Sequence, residues 1–186
     1  MSALLKSNPD ITVEITVDYG LADVVSDRFD AGVRLGEHVA RDMIAMRISA
    51  DIPMCIVGSP EYFESHPAPK SPRDLARHRG INLRLPSSET LNAWRLMQDG
   101  EEIRVRMDGP LVFNTIDLIL DATLDGVGLG YLPEDQVTKA LSSGKLIKVL
   151  DDAVPPLPGY HLYYPSRRHH SPAARQRRSL RTPDPP

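Results

Sequence analysis

Asp30-Ala31-Gly32-Val33-Arg34-Leu35-Gly36 holds the side chain best suited to gripping a small anion. A guanidinium meets a carboxylate through two parallel charge-assisted bonds, which fix orientation as well as supply energy. The residues around Arg34 read as the end of a helix, a tight turn, a short buried strand at Ala31–Leu35 and a glycine-containing loop. That order sets Arg34 at the carboxyl end of a strand, where open α/β sheets bind their ligands. A surface ion pair from Arg34 to Asp30 or Glu37 explains the same spacing, and both readings stand.

The other reactive side chains form no catalytic constellation. Cys55 lies inside the apolar run Met54–Val57 and reads as an inert core thiol. His38, His66, His78, His161, His169 and His170 lack metal-ligand spacing, and there is no Cys-x-x-Cys. Gly126, Gly128 and Gly130 fall on a strand, whereas a dinucleotide fingerprint needs its glycines between a strand and a helix. The expectation is a protein that is not an enzyme and uses no metal or cofactor.

At 186 residues the chain suits one ordinary domain or two small lobes. Its net charge of −3 hides an asymmetry. Six arginines (Arg167, Arg168, Arg175, Arg177, Arg178, Arg181) and one acid, Asp184, occupy the last twenty positions, leaving the first 166 residues with a net charge of −8. The body is acidic and the tail basic, so no overall basic field draws nucleic acid to the chain. One cysteine excludes an internal disulfide and fits a reducing cytoplasm. No signal peptide and no apolar run of about 20 residues is legible, so no membrane partner is expected.

Ile11, Val13, Ile15 and Val17 alternate with polar residues as on a half-buried strand. Leu21, Val24, Val25 and Arg28 follow at helical spacing, then the Ala31–Leu35 strand, giving a β-α-β unit of a parallel sheet. Further strands are expected at Met43–Ile48, Met54–Val57, Ile81–Leu85, Leu111–Phe113, Gly128–Leu132, Leu146–Leu150 and Tyr160–Tyr164. Asp99-Gly100 marks a hairpin between Ala93–Gln98 and Glu101–Met107. Ser59-Pro60-Glu61 and Ser71-Pro72-Arg73-Asp74 open short helices. Asn114 or Thr115 caps a helix that turns Ile116, Leu118, Ile119, Leu120, Ala122 and Leu124 inward and ends at Gly126. Pro133 opens the last helix, which stops at Gly144.

Several of these patterns occur together and in order: Asn8-Pro9-Asp10-Ile11, Asp30–Gly36, Ser59–Phe63, Ser71–Leu75 with His78-Arg79, and Trp94 before the Asp99-Gly100 hairpin. Gly126–Pro133, Gly144-Lys145-Leu146 and Tyr164–His169 complete the series. From about Ser7 to about Pro172 the chain resembles the effector-binding domain of LysR-type transcriptional regulators. The resemblance implies an α/β fold of two Rossmann-like lobes joined by two crossover strands, like the type 2 periplasmic binding proteins. Lobe I would comprise residues 1–53 plus 160–182 and lobe II residues 54–159, with 183–186 a disordered tail. Met54–Val57 and Tyr160–Tyr164 would cross between them.

Against the family pattern the chain reads as N-terminally truncated: the helix-turn-helix, the linker helix, the first strand and most of the first helix are missing. The tail Ala173–Arg181 lacks the apolar stripe of the family's closing helix and reads as a shifted frame or truncated product. It would attract phosphates weakly and salt-dependently, or serve as a solvated extension without function.

The resemblance further implies an effector in the cleft between the lobes, with contacts carried over by loop position. The turn after the first visible strand gives Asp18 and Tyr19, or an ordinary Tyr-Gly turn. Arg34 follows the next strand. Ser87, in Leu85-Pro86-Ser87-Ser88, offers a hydroxyl to a carboxylate or belongs to a plain serine-rich loop. Asn114 and Thr115 open the long helix, whose free amides favour an anion, while Asn114 can also cap its own helix. Gly128 permits close backbone approach to a ligand or packs against a neighbouring helix. The implied partners are a small organic, anionic effector, DNA only through an absent N-terminal domain, and further copies of the chain, as in a homo-oligomer. A stand-alone solute-binding module or a non-functional gene fragment are the alternatives.

Overall fold

The computed structural model describes residues 2–17, 29–36, 43–86 and 90–165. Two sheet systems lie on either side of a double connection. The first is a three-stranded antiparallel sheet, β1 (Gly32–Leu35), β2 (Met43–Arg47) and β10 (Tyr160–Pro165), with β10 central. The second centres on β3 (Met54–Gly58), flanked by β8 (Gly130–Pro133) and β9 (Ile147–Val149), both antiparallel to it. A parallel pair, β4 (Ile81–Leu83) and β7 (Leu111–Phe113), joins β8 through a bridge between Gly80 and Leu129. A hairpin, β5 (Trp94–Gln98) and β6 (Glu101–Val105), covers one side.

The core follows from β3. Alternate residues of a strand point to opposite faces, and here both faces are covered. Met54 and Ile56 join Tyr62, Leu75, Trp94, Leu96, Leu129 and Tyr131 on one side. Cys55 and Val57 join Ile81, Ile119, Leu132, Val137 and Leu146 on the other. The continuous apolar run is what a strand buried on both faces requires. Burial pushes the Cys55 thiol up to about 12, and its Sγ donates to the Leu132 carbonyl at 3.4 Å, so it behaves as a core side chain.

The helices follow their signals. The hydroxyl of Ser59 accepts from the Tyr62 amide at 3.2 Å and Pro60 opens α2 (Pro60–Ser65). Asp74 accepts from the amides of Lys70 and Ser71, at 3.0 and 2.9 Å, and holds the 3₁₀ turn Pro72–Arg77. α1 (Ser2–Ser7) ends where the Asn8 amide side chain donates to the Leu4 carbonyl. Asp99 and Gly100 take φ values of +54° and +84°, the two left-handed residues of the tight hairpin turn. α3 (Ile116–Leu124) buries Ile119, Ala122 and Thr123 but leaves Leu118 exposed. Thr123 takes an inward place because its hydroxyl bonds the Ile119 carbonyl at 2.7 Å, which lets a polar residue sit in the core. α4 (Glu134–Ser142) ends before Gly144, at φ +71°.

Three expectations need correcting. Residues 11–17 form no strand; Ile15 and Val17 are 63 % and 79 % exposed. Alternation alone does not make a strand, and among the described residues nothing pairs with this segment. β1 is therefore not half of a parallel β-α-β unit but the edge of an antiparallel sheet, and the helix expected at 21–28 lies outside the described residues. Tyr160–Tyr164, within β10, does not cross between sheets but is the centre of the first, and Met54–Val57 does not cross either; it is the centre of the second one. The passage is made just before it, at residues 48–53, and in return at 157–160. Ile52 and Leu157 exchange both backbone bonds, at 2.8 and 2.9 Å. The Asp51 carboxylate takes the Gly159 amide and the Ser49 hydroxyl takes that of Tyr160.

Beside the core, a polar cluster ties α2 to the start of β4. The Arg79 amide donates to the Tyr62 hydroxyl at 3.0 Å, and the same hydroxyl is hydrogen-bonded to His78 Nδ1 at 3.2 Å. Burial, with the neighbouring His66 adding to it, lowers the His78 pKa from 6.5, while Asp74 opposes. A histidine whose folded pKa is depressed takes up a proton more readily when unfolded. Its stabilisation is complete above the ordinary value and lost as pH falls through the folded one. Urea midpoints should therefore drop from about pH 7.5 to about pH 5.5, and His78→Gln should flatten that slope; an unchanged slope in the variant would contradict the assignment.

Candidate functional site

The carboxyl edge of the β4–β7 pair brings Asn114 and Thr115, two of the described candidate residues, to one place. Parallel register sets Leu83 opposite Phe113, and the Arg84 amide donates to the Phe113 carbonyl at 2.8 Å, carrying the ladder one step further. The chain leaves both strands side by side, as Arg84–Pro86 and as Asn114-Thr115. The first loop returns at once, because the Asn92 amide donates to the Leu83 carbonyl at 2.8 Å. Ser87, at the tip of that loop, lies outside the described residues, as do Asp18 and Tyr19.

Thr115 occupies the N-cap of α3 with an extended backbone, φ −132° and ψ 147°, and its side chain makes no capping bond. The first-turn amides of a helix have no partner within it, and the aligned peptide dipoles leave that end positive. Here no cap side chain takes them, so the expected self-capping by Asn114 does not occur and the end is open to an external acceptor. Asn114 is exposed and Thr115 half-buried at its mouth. Asp117, in the first turn, adds a negative charge beside it.

Arg34 is held differently. It sits half-buried on β1 opposite His161, and its guanidinium lies 5.2 Å from the centre of the Tyr163 ring. Such a contact is worth about 0.5–1 kcal/mol at a partly exposed site. Tyr163 in turn lies across Gly32, where a Cβ would come within 2.3 Å of its ring. Because β1 is an antiparallel edge strand, the crevice rule for parallel sheets does not itself point to Arg34.

Gly128 is buried against the protein's own backbone. A Cβ there would stand 2.6 Å from the Arg79 carbonyl oxygen, which accepts the Leu129 amide at 2.8 Å. Its near neighbour is thus the chain entering β4, rather than a helix. Among the described residues no group of three or more His, Cys, Asp or Glu side chains could hold a metal ion. No helix among them is long and apolar enough to cross a membrane. The sequence reading also passed over a groove beside Asn92 lined by Arg104 and Arg106; the signal was an arginine pair two apart at the end of the hairpin.

This architecture is that of the regulatory domains of LysR-type transcriptional regulators, which have the two-lobe fold of periplasmic binding proteins. The CrgA regulatory domain from Neisseria meningitidis superposes with a TM-score of 0.76 at 21% identity, covering 96% of this chain and 85% of that one. The regulatory domain of AphB from Vibrio vulnificus gives 0.74 at 23% identity, covering 94% and 85%. The model of the LysR substrate binding domain matches residues 1–180, and the chain belongs to that family. It is 60% identical over 169 residues to the HTH-type transcriptional regulator PgrR of Escherichia coli (strain K12), and 47% identical over 173 residues to a putative transcriptional regulator of Pseudomonas aeruginosa. The matches cover 91% and 93% of this chain and 56% of each relative, so the chain spans about half the length of these curated relatives.

Gly128→Ala should destabilise the fold by about 1–3 kcal/mol, the usual cost of forcing atoms into a filled space. Thermal denaturation checks it: an unchanged midpoint would show that the Arg79 backbone can yield and would return Gly128 to the list of ligand contacts.

Proposed function

We propose that this chain is the effector-sensing part of a LysR-type transcriptional regulator and that its effector is a small organic anion. The observation that carries the reading is the start of α3, which presents unclaimed amides at the carboxyl edge of the β4–β7 pair. In this reading residues 1–53 with 160–182 form one lobe and 54–159 the other. The anion sits between them, touching Asn114 and Thr115 on one side and Arg34 on the other, with Asp18, Tyr19 and Ser87 completing the contacts.

A ligand that touches both lobes favours the lobe angle at which its contacts are complete, and so shifts the population toward that angle. The connections at 48–53 and 157–160 are where the angle changes. In the whole regulator, a homo-oligomer whose DNA contacts come from another domain, that angle alters how the DNA-binding heads are spaced. The relatives' names support the regulatory role, and none supports an enzymatic one.

The test is a thermal-shift screen of small mono- and dicarboxylates, followed by calorimetric titration of the strongest hit. Arg34→Ala should weaken binding by about 10-fold or more, since charge-assisted bonds contribute ~1.5–3 kcal/mol. Asp117→Asn should strengthen it by about 2- to 5-fold, because it removes a negative charge from the first turn. If Asp117→Asn leaves the affinity unchanged, the anion does not sit at the start of α3.

A further inference from the structure

The outer face of the β5–β6 hairpin carries a charge arrangement that folding alone does not favour. Register sets Arg95 directly opposite Arg104, and like charges in that position destabilise a strand pair. Arg95 is neutralised by Glu102 at 2.8 Å, diagonally across the ladder. No hydrogen bond or ion pair holds Arg104 or Arg106 among the described residues. Both are exposed. They are two residues apart, Arg104 on β6 and Arg106 just past its end, and both line the same groove.

These two arginines line one wall of a groove of about 530 Å³, whose other wall is Thr90–Ala93. That segment is tied to the end of β4 by the bond from the Asn92 amide to the Leu83 carbonyl. The exposed side chain of Asn92 adds an amide donor without a partner among the described residues. The inner face of the same hairpin buries Trp94 and Leu96, which gives the arginines a rigid base.

We propose that this groove binds a small dianion, held by the guanidinium groups of Arg104 and Arg106 and the amide of Asn92. Two guanidinium forks lining one groove can hold the two carboxylates of a short diacid or straddle a phosphate group. The site is separate from the start of α3 and does not depend on the effector reading.

The experiment is an NMR titration of the ¹⁵N-labelled full chain with inorganic phosphate and, in a second arm, with succinate, each against sodium chloride at matched ionic strength. The expected result is saturable shifts at residues 90–93 and 103–107 with at least one dianion; the arm that saturates at lower concentration tells phosphate from diacid. Arg104→Gln or Arg106→Gln should weaken that binding about 10-fold or more, while Asp117→Asn should leave it unchanged. Shifts that chloride reproduces, or that survive in the Arg104→Gln/Arg106→Gln double variant, would overturn the proposal. Arg104→Gln should also raise the melting temperature in buffer free of multivalent anions. A fall there would show that Arg104 serves the fold, and would equally overturn it.

Discussion

The burial of β3 on both faces is the constraint from which the rest of the second sheet system follows. Cys55, Ile56 and Val57 are wholly removed from solvent, each apolar side chain contributing about 1.5–3 kcal/mol to folding. A strand with two apolar faces must have a cover on each. The hairpin, α2 and the turn at Pro72–Arg77 supply one, and α3 and α4 supply the other. Because α3 must lie on the second face, its start falls beside the ends of β4 and β7. The candidate anion site is thus a by-product of the core.

The first sheet system is built to a different standard. Among the residues of β1, β2 and β10 whose burial is described, only Tyr163 is buried, while Val33, Ile44, Met46 and Tyr160 stand 41–53 % exposed. The two systems are joined by two short segments that hydrogen-bond to each other around Ile52 and Leu157. A well-packed body, a narrow double connection and a lightly packed partner together favour motion at the connection over motion within the larger body. A sensor that reports by lobe angle needs that division.

Local signals were the most legible part of the sequence. Ser59-Pro60, Asp99-Gly100, Gly126 and Gly144 each act through backbone conformation or a neighbouring amide, and each opens, turns or ends its element as expected. The apolar run at Met54–Val57 was rightly seen as buried on both faces, yet its place at the centre of a sheet was not. Burial periodicity says that a strand has two covered faces but not which strands flank it. Residues 11–17 show the same limit from the other side, since their alternation describes a strand that has no partner among the described residues. Of the site, the start of α3 was legible because it rests on a helix boundary. The engagement of Arg34 with Tyr163 and the seat of Gly128 against Arg79 join residues 129 and 49 positions apart in the chain, and no local pattern encodes such contacts. The Arg95–Arg104 juxtaposition likewise needs the hairpin register before its cost becomes visible.

The central claim is that the open amides of α3 receive an anion. Amide chemical shifts of the ¹⁵N-labelled chain, followed while the tightest-binding carboxylate is added, test it most directly. The account predicts that the largest saturable shifts fall on Ile116, Asp117 and Leu118, with Arg34 and its neighbours moving along the same binding curve. Saturable binding that leaves those three amides in place would contradict it.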